Sequence, residues 1–300
     1  MGTASLHIDG LSLVWRSVWD RLGVRSPQAR ACAHRPSLWR RLSGGLPDIL
    51  LDGSRYCLDH CLERALDESL VRVRSSGTRA AAPHRVPLGL LLLSRQQLTA
   101  EQLRVALEAQ RNAGRGRIGE WLQSLGFATE QQVTAALARQ WACPVLRSAS
   151  THSAIRNSPQ IPFTLLDSFR MIPVDYVAAT KTLHLAFGEG VDHNVLYAVA
   201  SMTGCHTEAC MAAPSFVNSS LQSRCSERGE QEVVFACVTD VPECSRIIRS
   251  YCARLGVCEI RIAGCRSHIW VRLLRAARLP LDLLFRSSQG HTASPNSTRT

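Results

Sequence analysis

Gln110 and Gln140 each close an apolar helical stripe, in "LRVALEAQ" and "VTAALARQ", thirty positions apart. Leu103, Ala106, Leu107 and Gln110 fall at i, i+3, i+4 and i+7. Val133, Ala136, Leu137 and Gln140 repeat that spacing, so each amide shares a helix face with aliphatic side chains. A primary amide has few partners there, and an unmet hydrogen bond costs about 1 to 3 kcal/mol. Two chemistries meet the need. The amide bonds to nearby backbone, or it reads the polar edge of a planar ligand, such as a nucleobase, lying on the leucines.

A second constellation is Cys32-Ala-His34 and Cys57-Leu-Asp-His60-Cys61, two close-spaced pairs about twenty residues apart. Thiolate and imidazole at short spacing suit tetrahedral zinc, which makes Cys32, His34, Cys57 and Cys61 candidate ligands of a knuckle within residues 32–61. Bound zinc would also let a weakly apolar region fold. The first pair lacks the C-x-x-C spacing, so structural cysteines are the other reading. No H-E-x-x-H or G-x-S-x-G string occurs. "GRGRIG" at 114–119 matches G-x-G-x-x-G but follows a helix, where a dinucleotide fingerprint must follow a strand. No catalytic residue emerges, and the chain is expected not to be an enzyme.

The elements that must position these residues are signalled locally. Thr99 and Thr129 are each followed three residues later by Gln, the capping-box spacing at a helix start. At the thirty-residue offset Gly89 matches Gly119, Leu92 matches Leu122, and Leu107 matches Leu137, so 87–110 and 117–140 each read as a small apolar turn followed by a helix. From 160 to 224 the pattern becomes strand, strand, helix, strand, helix. After a polar break, 231–286 reads as a small basic α/β unit. Residues 1–75 are Arg-rich and irregular, 76–86 form a linker, and 287–300 have the composition of a disordered tail. The expected fold class is α+β: a tandem helical repeat unit followed by a small α/β domain, a second small C-terminal α/β unit, and a candidate N-terminal zinc knuckle.

Three hundred residues allow two or three such units. The net charge of +11 rests almost wholly on Arg, since Lys181 is the sole lysine. From Arg246 to Thr300 ten Arg face only Glu259 and Asp282, which suits either a solvated face or an anionic partner. Nucleic-acid binding there is the weakest of the functional readings. The twelve Cys carry no export signal beside them and most lie in apolar segments, so free buried thiols are expected. No apolar run approaches a membrane span, and the chain is expected to be cytoplasmic without membrane insertion.

The second copy carries Arg117, Ile118, Gly119, Leu122, Gly126, Phe127, Val133, Leu137 and Gln140, departing from a known pattern at Gln123 and Ala128. The first carries Leu88, Gly89, Leu92, Leu93, Leu98, Leu103, Leu107 and Gln110, with Pro87 in place of Arg, and Gln96 and Gln97 in place of Gly and an aliphatic residue. The copies resemble the tandem motif of the N-terminal domain of type II secretion and type IV pilus assembly ATPases, the MshE-type domain. The resemblance spans about residues 85–224. It implies that paired copies each hold half of one cyclic di-GMP. The implied ligand set is Leu88, Gly89, Leu107, Gln110, Arg117, Ile118, Gly119, Gly126, Leu137 and Gln140. Pro87 is expected to weaken the first half-site, with Arg85 the nearest replacement. The motor's phosphate loop needs G-x-x-x-x-G-K-[ST], and Lys181 in "AATKTLH" follows no such glycines. A non-catalytic regulatory or adaptor protein is therefore expected, with secretion or pilus machinery components as partners. A structural interaction module that has lost nucleotide binding is the alternative.

Overall fold

The computed structural model describes residues 49–57, 60–76, 85–146, 158–225, 231–238, 240–266 and 268–286. Cys32 and His34 lie outside these residues, as does the 287–300 tail. The chain is mixed helix and sheet, as an α+β class requires.

Four helices come first in the region of interest: α2 (Leu88–Ser94), α3 (Ala100–Ala113), α4 (Ile118–Ser124) and α5 (Glu130–Gln140). The segments expected as apolar turns, 88–94 and 118–124, are helices themselves. Pro87 fixes φ at −56° ahead of α2, a geometry that starts a helix without needing its missing N–H. α3 and α5 begin with capping boxes. The N–H of Gln102 donates to Thr99 Oγ1 at 3.2 Å and the N–H of Thr99 to Gln102 Oε1 at 3.0 Å. Thr129 and Gln132 repeat the exchange at 3.2 and 2.8 Å. α3 stops at Gly114, whose φ of 62° is open to glycine without strain. α2 packs across α5, α3 across α4, and α2 touches α4, so the two pairs interlock. Their core holds Leu88, Leu92, Leu98, Ala106, Leu122, Val133 and Ala136.

Next comes a three-stranded sheet, β3 (Met171–Val177), β4 (Thr182–Phe187) and β5 (His206–Met211). The short helix α6 (Phe163–Ser168) leads into it. β3 and β4 pair antiparallel, while β5 runs parallel to β4, so a crossover is required. Helix α7 (His193–Thr203) makes it, with the Asp192 carboxylate accepting from the N–H groups of Asn194 and Val195 and Gly204 ending it at φ 71°. α8 (Pro214–Cys225) follows β5.

The remaining sheet has six strands in the order β2-β1-β7-β8-β9-β6, where β1 is Ile49–Leu51, β2 Ser54–Tyr56, β6 Glu232–Phe235, β7 Val257–Cys265, β8 His268–Arg275 and β9 Arg278–Arg286. This departs from the expectation of an irregular region ahead of residue 75. The hairpin β1–β2 joins the sheet through a parallel pairing of β1 with β7, and helix α1 (His60–Ser76) packs beside α9 (Val241–Leu255) on the same sheet. Leu62, Leu66 and Leu70 of α1 are fully buried there against Ile248, Val271 and Leu283. The opposite face presents Ala263, Cys265, Trp270 and Leu284 to the core that α7 shares with the three-stranded sheet. A two-sided strand pattern therefore follows from covering both faces.

The thiols divide. Cys205, Cys210, Cys244, Cys252 and Cys265 are buried as expected, but Cys237 of "VVFACV" is exposed, as are Cys225 and Cys258. No described helix is long and apolar enough to cross a membrane.

Candidate functional site

The crossing of the helix pairs brings several of the expected residues together. Leu88 is buried there beside Gly119, with Ile118 and Leu137 packed half-buried on the same core. Gly89 is also buried, Leu107, Gln110 and Gln140 are half-buried, and Arg117 is exposed. A Cβ on Gly119 would stand 3.0 Å from Val133 Cγ1 and 3.2 Å from Leu88 Cδ2, so glycine is what lets α4 approach α5 and α2. Gly89 lies closer still to a neighbour, since a Cβ there would stand 2.7 Å from Leu103 Cδ1. Gly126 is not part of this crossing. It sits at the other end of α4 from Arg117, at φ 72° with open space around it, and its contribution is the turn into α5.

Each glutamine amide meets a backbone carbonyl just ahead of a first helix. Gln110 Nε2 donates to Gly116 O at 2.9 Å, and Gln140 Nε2 donates to Val86 O at 2.7 Å. The acceptors are themselves thirty positions apart and precede Arg117 and Pro87. One requirement of the half-buried amides is thus met inside the chain, and among the described residues no hydrogen bond to either Oε1 is seen.

Arg117 is held by the loop after β4. Its Nη1 donates to Glu189 O at 3.0 Å and its Nη2 pairs with Glu189 Oε2 at 3.0 Å. Gly190, at φ 154°, lets Trp141 come close: a Cβ there would stand 3.0 Å from Trp141 Cζ2. The Trp141 ring also lies 6.1 Å from that of His193. Above it, the Arg85 guanidinium carbon stands 3.3 Å from the ring centroid, a cation–π stack. Arg85, expected as the replacement for Pro87, thus stacks on Trp141, and Trp141 and Glu189 are the candidate-site residues that the sequence reading does not name. The one local signal is an aromatic directly after Gln140 where the first copy has Arg111.

The departures from the motif have structural readings. Gln123 Nε2 bonds back to Gly119 O at 3.1 Å, within its own helix. Gln96 adopts φ 56°, the left-handed conformation that Gly126 supplies in the second copy. The side-chain oxygen of Gln97 is buried without a hydrogen-bond partner among the described residues.

Burial pushes the Cys143 thiol up, and burial followed by the proximity of Cys143 pushes Cys210 up to about 12. Neither forms a thiolate near neutral pH. Of the candidate zinc ligands, Cys57 and Cys61 flank the start of α1, both half-buried. Among the described residues no group of three or more His, Cys, Asp or Glu side chains is arranged to hold a metal ion.

Among solved structures, the chain is similar to that of MshE with cdg, at 28% identity over 46% of this chain and 99% of that one, with a TM-score of 0.40. It is also similar to two crystal forms of the N-terminal domain of XpsE. These share 19% and 20% identity over 45% and 44% of this chain and 91% and 89% of theirs, with TM-scores of 0.35 and 0.28. No protein-family model and no curated protein matches it.

Proposed function

We propose that the chain is a non-catalytic regulatory or adaptor protein that binds cyclic di-GMP where its helix pairs cross, and passes the bound state to secretion or pilus components. The observation that carries this reading is the paired placement of Gln110 beside Gly116 and Gln140 beside Val86. Two equivalent polar positions around one apolar seam match a ligand built of two identical halves. Leu107 and Leu137 offer the bases an apolar floor, the free Oε1 atoms offer acceptors, and Arg117 offers a phosphate fork. Binding acts by favouring one arrangement of the interlocked helices, a shift in population rather than a reaction.

A second reading has its own support. Both amide donors and the Arg117 guanidinium are already engaged by Gly116, Val86 and Glu189, as they would be in a module that only holds its own shape and docks a partner. Zinc at Cys32, His34, Cys57 and Cys61 stays a separate proposal, tested by metal analysis of the purified chain.

Calorimetry of the full chain with cyclic di-GMP separates the two readings. Saturable heat that falls tenfold or more in affinity for Arg117→Ala and for Gln140→Ala supports the nucleotide site. A folded parent that gives no heat, with or without the Glu189 carboxylate that holds Arg117, leaves the structural module.

A further inference from the structure

Glu189 occupies two Arg117 nitrogens that a phosphate could otherwise engage. Its carboxylate and its own backbone oxygen both face Arg117, each at 3.0 Å, in the forked arrangement that guanidinium offers to any two-oxygen anion. We infer that Glu189 is a built-in competitor for Arg117, so that an anionic ligand at the helix crossing must displace it and thereby release the 188–192 loop. This regulation rests on the nucleotide reading above.

The loop is anchored at its two ends, Gly188 and Asp192, and the Arg117 contact holds the stretch between them. The Gly188 N–H donates to Arg170 O at 3.0 Å, and a Cβ on Gly188 would touch Pro214 and Val217 at 3.4 Å. Gly190 lies against the Trp141 ring, and Asp192 is tied both to the start of α7 and to Arg266 at 2.7 Å. Its backbone therefore cannot follow a moving guanidinium, and the contact must break when Arg117 turns to a ligand. The pair itself is suited to exchange, because the Arg117 and Glu189 side chains are 61% and 36% exposed and water can replace either partner. Phosphate oxygens compete for the same donors. The same loop touches Trp141, next to Gln140, and reaches β7 and the six-stranded sheet through Arg266, so its release is felt by both other parts of the molecule.

The test is a calorimetric titration of the full chain with cyclic di-GMP beside Glu189→Gln, Glu189→Ala and Arg117→Gln, with hydrogen exchange of the 188–192 amides measured in the same samples. Removing the carboxylate is expected to tighten binding about three- to tenfold, since a fraction of Arg117 no longer has to be freed first. Arg117→Gln should weaken binding at least tenfold, and ligand should speed exchange at 188–192 in the parent but not in Arg117→Gln. Glu189 variants that bind no tighter than a binding parent, or ligand that leaves loop exchange unchanged, overturn the competition and spare the nucleotide reading. No heat from the parent or either Glu189 variant removes both. Heat from the Glu189 variants alone supports both.

Discussion

Gln96 occupies the one backbone position in the first helix pair that its side chain does not suit. Its φ of 56° closes the turn after α2, where Gly126 at 72° closes the turn after α4. The surrounding bonds are the same: Gln97 N–H donates to Leu92 O at 3.0 Å, and Phe127 N–H donates to Leu122 O at 2.9 Å. A left-handed conformation costs a residue with a Cβ roughly 1 to 2 kcal/mol, and part of that is offset because glycine loses more freedom on folding. Gln96→Gly is therefore expected to stabilise the chain by about 0.5 to 1 kcal/mol. A urea midpoint that fell in this variant would show that Gln96 holds the turn by some contact of its side chain. The difference between the copies was legible in the sequence as a missing glycine. What the missing glycine does to the backbone was not, because a positive φ depends on the turn that forms around it.

Helix crossings set the seam, and the two glycines at the crossings are not equivalent. A methyl on Gly89 would meet the flexible tip of Leu103, which is half-buried and has other rotamers. A methyl on Gly119 would meet Val133, which is 2% exposed and, being branched at Cβ, nearly fixed at χ1 in a helix. Gly119→Ala is expected to cost about 1 to 3 kcal/mol and to spread α4 from α5. Gly89→Ala should be near neutral, because alanine regains about 1 kcal/mol of helix propensity. Equal losses in denaturant unfolding would mean that the Leu103 tip is as constrained as Val133. Helices α3 and α5 could be read from their threonine caps and stripes, and β3, β4, β5, β6, β7 and β8 from short apolar runs between turn signals. Helices α2 and α4 could not, since seven residues of "LGLLLLS" or "IGEWLQS" hold barely two turns and look like any apolar loop. The glutamines were legible as amides on apolar faces, whereas Glu189 reaches Arg117 across 72 residues and no local spacing records that.

At the scale of the whole molecule, sequence order and spatial order part company. β1, β2 and α1 belong to the same sheet as the last strands, so the helix pairs and the three-stranded sheet are an excursion between two halves of one layer. Periodicity could not show this, because a three-residue strand such as Ile49–Leu51 carries no pattern until β7 lies beside it. Beside the apolar core shared by the excursion and the layer, a buried charge pair supplies a polar tie between them. Arg272 and Asp282, opposite each other on β8 and β9 and only 4% and 7% exposed at their side chains, bond at 2.8 Å. Trp270 Nε1 donates to the same carboxylate at 2.8 Å, and Arg272 Nη2 also donates to Gln160 O at 2.6 Å, on the segment leading into α6. Taking either partner away leaves a charge in an apolar core, so Arg272→Met and Asp282→Leu are each expected to destabilise by about 3 to 5 kcal/mol. The double variant should lose less than either single one, because no charge is then stranded and the two side chains pack against Leu284 and its neighbours. Denaturant unfolding of the four proteins gives the coupling directly. If the double loss instead equalled the sum of the two, the pair would not act as a unit, and the contribution of Arg272 would lie in its bond to Gln160 rather than in the pair.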